Sequence, residues 1–347
     1  MYKYLFYCQE LYCLSILRPV QNVIRKNGGE AAWFFEKPDV GPAYLTADEH
    51  RITSVDAVRK YHPHAVLAPG NLVPDFFPGV KVQVFHGLAD DFTGKKSHYR
   101  IRDFFDLYCT RSPAETRIFQ KLAAKKRHFD VVETGWPKMD PLFQERYNLK
   151  NDLNTSKPVV LFASTFSPSL TQAPVLAETI KKLSDTGKYY FIVTLHPKTK
   201  HDIVARYRGL AGPNLRFFES HEDVIPLLQA ADIMLCDTSS IGLEFMLLDK
   251  PLVTFRTKVP GPHLLNVVSL PDIEGTLDAA LARPPKLMAA MRQFADGLHP
   301  RRDGASSRRV MEAVNRLIHG GTGHLKPKPA NLFRRLRMRK RLGYYRL

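Results

Sequence analysis

Four small polar residues separate two apolar runs in the stretch ADIMLCDTSSIGLEFMLLDKPLVTF, residues 231–255. The run IMLCD is typical of a buried strand and IGLEFMLL of a helix, which places Ser239 and Ser240 at the helix N-terminus. Backbone N–H groups and the helix dipole favour an anion there, and two hydroxyls add donors, so this pattern predicts a phosphate site. The alternative is capping without a ligand, with Ser239 as N-cap and Glu244 in the first turn.

Two histidines also follow strand-like apolar runs. His196 comes after YYFIVTL and precedes a proline that ends the strand, so its imidazole can donate to a phosphate oxygen and stabilise a departing nucleotide. His86 comes after VQVF and before Gly87, which permits close backbone approach, and this imidazole can take a proton from a hydroxyl. The alternatives are a histidine satisfied within the core for His196, and a loop histidine beside the solvated pair Lys95 and Lys96 for His86.

Other charged residues carry weaker signals. The stretch GWPKMD, residues 135–140, supplies Lys138 and Asp140, but alone it is typical of a turn with an exposed charge. The adjacent acids Asp90 and Asp91 point apart on an extended chain and lack a third ligand, so no metal site is predicted. The sequence contains no Walker-type phosphate loop, no G-x-G-x-x-G after a strand, no G-x-S-x-G elbow and no H-E-x-x-H helix, so P-loop kinases, nicotinamide oxidoreductases and serine hydrolases lose support.

The elements that must position these residues alternate along the chain. Short β-type runs followed by helical patterns predict an α/β protein of two Rossmann-like lobes, each with a mostly parallel sheet, facing each other across a cleft. Ligands of such sheets bind outside the carboxyl ends of the strands, where the polar residues above lie. Because residues 144–157 lack periodicity and apolar density, we place the lobes at 1–143 and 158–320, with a separate tail at 325–347.

Half of the excess positive charge lies in this tail. The formal net charge is +17, and the residues from Leu325 onward include nine basic and no acidic side chains. Leu, Phe, Met and Tyr are interleaved with these cations, which favours attachment to an anionic membrane surface. A solvated, flexible tail and a nucleic-acid-binding tail are the alternatives. The moderate charge of the remaining chain argues against nucleic acid as a partner.

Cysteine usage and the N-terminus bear on location. Cys8, Cys13, Cys109 and Cys236 lie in or beside apolar stretches without the paired spacing of a zinc or redox motif, so reduced, buried thiols and a cytoplasmic location are expected. The apolar N-terminus is interrupted by polar residues at positions 9 and 10 and lacks a cleavage site, so we expect no signal peptide. No run approaches the ~20 apolar residues that span a bilayer.

The order of FHG, GWPKMD, a strand with STF, LHPK and the Ser-Ser stretch resembles the CDP-glycerol glycerophosphotransferase family, the teichoic-acid-type polymerases and primases, over about residues 80–256. The resemblance implies a GT-B-like arrangement of the two lobes, with His86 as catalytic base and His196 beside the donor's phosphates. It also implies the reaction. A hydroxyl of a cell-surface polymer or of its lipid-linked precursor attacks the glycerol-bearing phosphorus of CDP-glycerol, and CMP leaves. We expect neither a metal nor another cofactor.

The remaining site residues follow from the same motifs. We predict that the donor phosphates are bound by Thr238, Ser239, Ser240, Lys138 and Lys198. We predict supporting roles for Gly87, Gly135, Asp140, Thr165, Asp237 and Glu244.

This sequence differs from the family pattern in three places. It has HGLADD instead of HG-T-P-L-K, Asp-Thr-Ser-Ser instead of Asp-Tyr-Ser-Ser, and Glu244 instead of Asp. The first difference keeps open a GT-B enzyme with a nucleotide-sugar donor, and the charge keeps open a non-enzymatic nucleic-acid-binding module. The basic tail would suit an enzyme that is peripheral at the inner face of the cell membrane.

Overall fold

The computed structural model describes residues 1–37, 42–88, 99–144 and 149–345. The chain divides into two compact units. Unit 1 consists of Met1–Asp140 and His299–Leu347, and unit 2 of Pro141–Leu298.

Each unit contains a parallel sheet, and helices connect the strands. The strands are β1 (Lys3–Cys8), β2 (Glu30–Phe35), β3 (His50–Arg51), β4 (Ala65–Ala68), β5 (Val80–Gln83), β6 (Leu107–Thr110), β7 (Asp130–Glu133), β8 (Val159–Ser164), β9 (Tyr190–Leu195), β10 (Leu215–Phe218), β11 (Ile233–Cys236), β12 (Leu252–Phe255) and β13 (Leu265–Val267). The α-helices are α1 (Tyr12–Lys26), α2 (Val55–Tyr61), α3 (Pro113–Lys126), α4 (Leu149–Asp152), α5 (Ala173–Asp185), α6 (His201–Gly209), α7 (Ile225–Ala230), α8 (Ile241–Met246), α9 (Ile273–Leu281), α10 (Pro285–Leu298), α11 (Ser306–Gly320) and α12 (Leu332–Leu342). Short 3-10 helices span Pro42–Tyr44, Pro137–Phe143 and Leu270–Asp272.

The sheet of unit 1 has the strand order β3-β2-β1-β4-β5-β6-β7. Its central strands are buried along almost their whole length, which explains why they read as continuous apolar runs. Strands β1 and β2 pair in parallel, and their register places Cys8 at the end of β1 opposite Phe35 at the end of β2. The loops after these strands therefore emerge at one edge of the sheet.

The sheet of unit 2 has the order β10-β9-β8-β11-β12-β13. Its four central strands are fully buried or nearly so, and α5 packs an apolar face against the same core. Ser164 at the end of β8 lies opposite Leu195, and Cys236 lies opposite Ala163 and Thr254. The loops that carry His196 and the Ser-Ser pair thus leave the sheet at the same edge, as the sequence predicted.

The C-terminal residues are placed differently from the predicted boundaries. The lobe boundary at 320 assigned α11 to the second lobe, but residues 299–347 belong to unit 1. Helix α11 packs against α1, and the Asp140 carboxylate accepts hydrogen bonds from the N–H groups of Ser306 (2.7 Å) and Ser307 (2.6 Å). An amphipathic helix shows that it has an apolar face but not which core this face covers, so the sequence could not give this assignment.

The basic tail is not a freely solvated segment. Helix α12 buries Met338, and Tyr344 just beyond it is buried in the same core as β1 and β4. Arg339 lies over the ring of Phe76, with 4.9 Å between the guanidinium carbon and the ring centroid, and 3.9 Å from the carboxylate of Asp75. The flexible-tail interpretation is therefore wrong for the described residues 325–345.

All four cysteines are free and buried, as predicted. Within the described residues, no helix combines the length and the apolarity needed to cross a membrane.

Candidate active site

His86 lies in unit 1, three residues beyond the end of β5. Its Nδ1 atom is 3.2 Å from the backbone carbonyl oxygen of Pro69. Because a carbonyl oxygen only accepts, Nδ1 must carry the hydrogen, and in the neutral ring the lone pair is then on Nε2. The imidazole also stacks on Tyr12, with ring centroids 5.4 Å apart and planes 29° apart. These contacts give the ring a defined tautomer and plane.

The loop that supplies the Pro69 carbonyl is itself held in place. The buried Gln83 side chain donates from Nε2 to the Gly70 carbonyl oxygen (3.2 Å) and to Asn71 Oδ1 (2.7 Å). A Cβ at position 70 would meet Gln9 Oε1, so a larger residue there would displace the Gln9 side chain. In contrast, a Cβ at Gly87 would meet no described atom within 4 Å, so the close approach predicted for Gly87 stays a prediction.

The GWPKMD stretch follows β7 in unit 1. Gly135 has φ +80°, and a Cβ there would lie 2.5 Å from Ser306 Oγ, so both its conformation and its surroundings require glycine. Both Asp140 oxygens cap the N-terminus of α11, which gives this buried carboxylate a structural role. Lys138 Nζ lies 5.3 Å from the ring centroid of Trp136. Lys138 and Asp140 lie in unit 1, whereas the Ser-Ser pair lies in unit 2.

In unit 2, the Asp237 side chain connects the end of β11 with the loop that follows β8. This fully buried carboxylate accepts hydrogen bonds from the Ser164 hydroxyl and from the N–H groups of Thr165 and Gln172, both at 3.0 Å. Burial raises the pKa of Asp237, while these hydrogen bonds oppose the rise. The predicted supporting residues Thr165 and Asp237 therefore fix the loop after β8 against the end of β11.

His196 is exposed at the end of β9. Its Nδ1 accepts the backbone N–H of Lys198 at 3.0 Å, so the hydrogen of the neutral ring is on Nε2, the opposite tautomer from His86. The ring packs on Phe166, with centroids 4.4 Å apart. Desolvation, followed by the charge of Lys198, lowers the pKa of His196. The residue is thus arranged as a neutral donor, which fits a role beside phosphate oxygens.

The Ser-Ser pair lies at the start of α8. The N-cap is Ser240, not Ser239, and it makes no side-chain cap bond. The interpretation of the pair as simple capping is therefore wrong, although Glu244 does lie in the first turn. Thr238 is held in the loop, because its Oγ1 accepts the Lys258 N–H at 3.0 Å.

Four residues of this region were not predicted from the sequence. Phe166 and Tyr12 pack on the two histidines, the Pro69 carbonyl orients His86, and Lys258 follows β12 beside Thr238. Phe166 carried a usable signal, since it is an aromatic residue two positions after the end of β8. The other three depend on contacts between distant parts of the chain. Asp90, Asp91, Lys95 and Lys96 lie outside the described residues.

Residues 79–260, slightly more than half of the chain, match the family described as "CDP-Glycerol:Poly(glycerophosphate) glycerophosphotransferase". The chain belongs to this family. The match agrees with the range over which the sequence motifs resembled this family.

This glycerophosphotransferase family member is similar to a protein of known name. It is 25% identical over 241 residues to the teichoic acid glycerol-phosphate primase of Bacillus subtilis (strain 168). This alignment covers 65% of the chain and 61% of the primase, so the match spans about three fifths of that relative.

Solved structures show the same fold. The wall teichoic acid polymerase TagF has a TM-score of 0.65 and 15% identity, with 92% of this chain and 89% of that chain covered. A putative UDP-N-acetylglucosamine 2-epimerase from Listeria monocytogenes has a TM-score of 0.64 and 12% identity, with 92% and 97% covered. The predicted α/β, GT-B-like fold class is therefore confirmed.

Proposed function

We propose that this glycerophosphotransferase family member transfers glycerol phosphate from CDP-glycerol to a hydroxyl of a cell-surface polymer or of its lipid-linked precursor, and releases CMP. The observation that carries the proposal is the family match over residues 79–260, which contains both histidines and the Ser-Ser pair. The relatives are consistent with it, since one is a teichoic acid glycerol-phosphate primase and one TagF structure comes from a soak with CDPG.

His86 is the proposed base. The acceptor oxygen attacks the glycerol-bearing phosphorus, and its proton passes to Nε2 of His86. The contact between Nδ1 and the Pro69 carbonyl supports this role, because it leaves the lone pair of the neutral ring on Nε2. The same carbonyl stabilises the imidazolium that forms, since a charged donor makes the stronger hydrogen bond.

Unit 2 is proposed to bind the diphosphate. As the new P–O bond forms, the bond between that phosphorus and the CMP oxygen breaks, and negative charge grows on the leaving phosphate. The Nε2–H of His196, the hydroxyls of Ser239 and Ser240 and the ammonium of Lys198 are the donors that we assign to it. Positioning and charge stabilisation carry most of the catalysis in reactions of this type.

The exposed face of α12 is the proposed membrane contact. Leu332, Phe333 and Leu336 are exposed to 64%, 89% and 61%, beside the exposed cations Arg337 and Lys340. Apolar side chains next to cations favour an anionic bilayer surface. The enzyme would then be cytoplasmic and peripheral at the inner face of the cell membrane, where a lipid-linked acceptor is available.

The direct test is a turnover assay with purified protein, CDP-glycerol and a lipid-linked acceptor. We expect release of CMP together with an acceptor that has gained one or more glycerol phosphate units by mass spectrometry. CMP release without a modified acceptor would show hydrolysis instead of transfer. Thermal stabilisation by a nucleotide sugar but not by CDP-glycerol would favour the other donor class and overturn the proposal.

A further inference from the structure

The backbone directly before His86 has an unusual conformation. Phe85 has φ +57°, in the left-handed region that bulky residues rarely adopt, and it is fully buried. Such conformations persist only where the surroundings hold them, and they are common at functional sites. The position of the His86 imidazole depends on this residue, because the peptide between Phe85 and His86 sets the direction in which the side chain leaves the backbone.

Trp136 from the GWPKMD stretch provides one of these holding contacts. Its indole Nε1–H donates to the carbonyl oxygen of Phe85 at 3.2 Å, across 51 residues of sequence. The indole is almost completely buried, with 1% of the residue exposed. A buried indole N–H needs an acceptor, and here that acceptor is the peptide that joins Phe85 to His86.

Trp136 is in turn held from its other side. Its backbone N–H donates to Nε2 of the fully buried His299 at 2.8 Å. Burial, assisted by nearby arginines, lowers the pKa of His299 to about 4, so this ring is neutral at physiological pH and its Nε2 can accept. Gly135, immediately before, has no Cβ that would push the loop away from Ser306.

We infer that Trp136 is a positioning residue for His86. By holding the Phe85 carbonyl, the indole keeps the imidazole where Nδ1–H reaches the Pro69 carbonyl and Nε2 can receive the acceptor's proton. This inference rests on the proposed role of His86 as base. It assigns to the tryptophan of GWPKMD an effect on the chemical step that acts through the position of His86.

The test compares the two tryptophans of the chain. Trp136→Phe keeps a large aromatic ring but removes the indole donor. Trp33→Phe is the matched control, because Trp33 is also buried in unit 1 and donates from Nε1, in this case to Gln21 Oε1 at 2.5 Å instead of to the peptide before His86. We expect kcat to fall at least about tenfold in Trp136→Phe with KM for CDP-glycerol unchanged, since small misplacements of a catalytic group cost rate and not donor binding. Trp33→Phe should lose stability but keep kcat.

The comparison of kcat with stability separates positioning from general loosening of the fold. Loosening predicts that kcat falls in both variants in proportion to their loss of stability, whereas positioning predicts that kcat falls in Trp136→Phe and not in Trp33→Phe. Equal kcat losses at equal loss of stability in the two variants would overturn the inference.

Two further variants keep the outcome interpretable. His86→Ala tests the base directly. If it retains activity, the proposed function of His86 fails whatever Trp136 does, whereas an inactive His86→Ala with an unaffected Trp136→Phe refutes only the positioning role. If Trp136→Phe does not fold, benzothienylalanine incorporated at position 136 in the Trp33→Phe background replaces the N–H by sulfur in a ring of similar shape. The same fall in kcat is expected there, and a normal kcat would overturn the inference.

Discussion

The carbonyl oxygen of Pro69 lies 3.2 Å from Nδ1 of His86, and Gln83 fixes the loop that carries this carbonyl. In the neutral ring this contact places the hydrogen on Nδ1 and the lone pair on Nε2, from which His86 could accept a proton. His196 has the opposite tautomer, because its Nδ1 accepts the Lys198 N–H. The two histidines of the family motifs are therefore not interchangeable, and substitutions at them should affect different steps.

His86→Gln should reduce kcat by about 100-fold or more, because general base catalysis contributes about that much. Binding of CDP-glycerol should be unchanged, since the donor phosphates are assigned to unit 2. Single-turnover kinetics and the thermal shift produced by CDP-glycerol measure the two quantities separately. A variant that turns over normally would remove His86 from the mechanism. A variant that loses the thermal shift would mean that this residue binds the donor.

Ser239→Ala with Ser240→Ala should raise KM for CDP-glycerol about tenfold or more, because each hydrogen bond to a charged group is worth roughly 1.5–3 kcal/mol. The melting temperature without ligand should hardly change, since Ser240 makes no side-chain cap bond in α8. Ser54→Ala is the matched control. Ser54 caps α2 by accepting the Ala57 N–H at 3.1 Å, so its loss should cost about 1 kcal/mol of stability and leave KM unaltered. The reverse pattern would restore the capping interpretation.

His299 should make the fold sensitive to acid. Its pKa is lowered from 6.5 to about 4 by burial and by Arg111, Arg309 and Arg302, so the unfolded chain binds more protons between these values. The free energy of unfolding therefore does not depend on His299 titration above pH 6.5. It decreases as the pH falls from 6.5 towards 4, by up to about 3 kcal/mol for a shift of this size.

His299→Gln tests this pH dependence by denaturant unfolding at pH 7, 6, 5 and 4. The glutamine oxygen can still accept the Trp136 N–H but does not titrate, so we expect a shallower loss of stability in acid. His201→Gln, at an exposed position, should keep the wild-type slope. Identical slopes in all three proteins would exclude His299 as a cause of acid destabilisation.

The strand ends could be predicted from the sequence for a definite reason. Continuous apolar runs locate buried parallel strands, and parallel pairing brings their carboxyl ends to one edge, so His196 and Asp237 were placed correctly from pattern alone. What the pattern lacks is the partner of each polar atom. The contact of Trp136 with the Phe85 carbonyl joins residues 51 positions apart, and no periodicity reports it.

The C-terminal residues show the same limit in a different form. In α12 the cations outnumber the apolar residues, so charge patterning predicted a tail on a membrane or in solvent. The packing depends on single residues, namely Met338, Tyr344 and the Arg339 guanidinium between Phe76 and Asp75. Met338 is one of five apolar residues interleaved with six cations in α12, and nothing in this order marks it as the buried one. The exposed face, however, is the one on which the membrane prediction depends.

Phe333→Ser with Leu336→Ser should weaken binding to anionic vesicles by about tenfold or more, because each large apolar side chain contributes roughly 1.5–3 kcal/mol when buried. Both side chains are exposed, at 89% and 61%, so the fold should be unaffected. Co-sedimentation with phosphatidylglycerol-containing vesicles measures the binding. Val268→Ser is the matched control, since Val268 is 62% exposed but lies in unit 2, and it should bind like the wild type.

The lipid and salt dependence decides what the cations of α12 recognise. Binding to anionic vesicles should fall in high salt and be weak for phosphatidylcholine alone, because surface charges are screened and the neutral lipid offers no attraction. The double variant should retain part of the salt-sensitive binding, since Arg337 and Lys340 remain. If duplex DNA binds at least as tightly as the vesicles, and the serine substitutions do not weaken vesicle binding, the basic helix recognises polyanions in general and the membrane assignment is wrong.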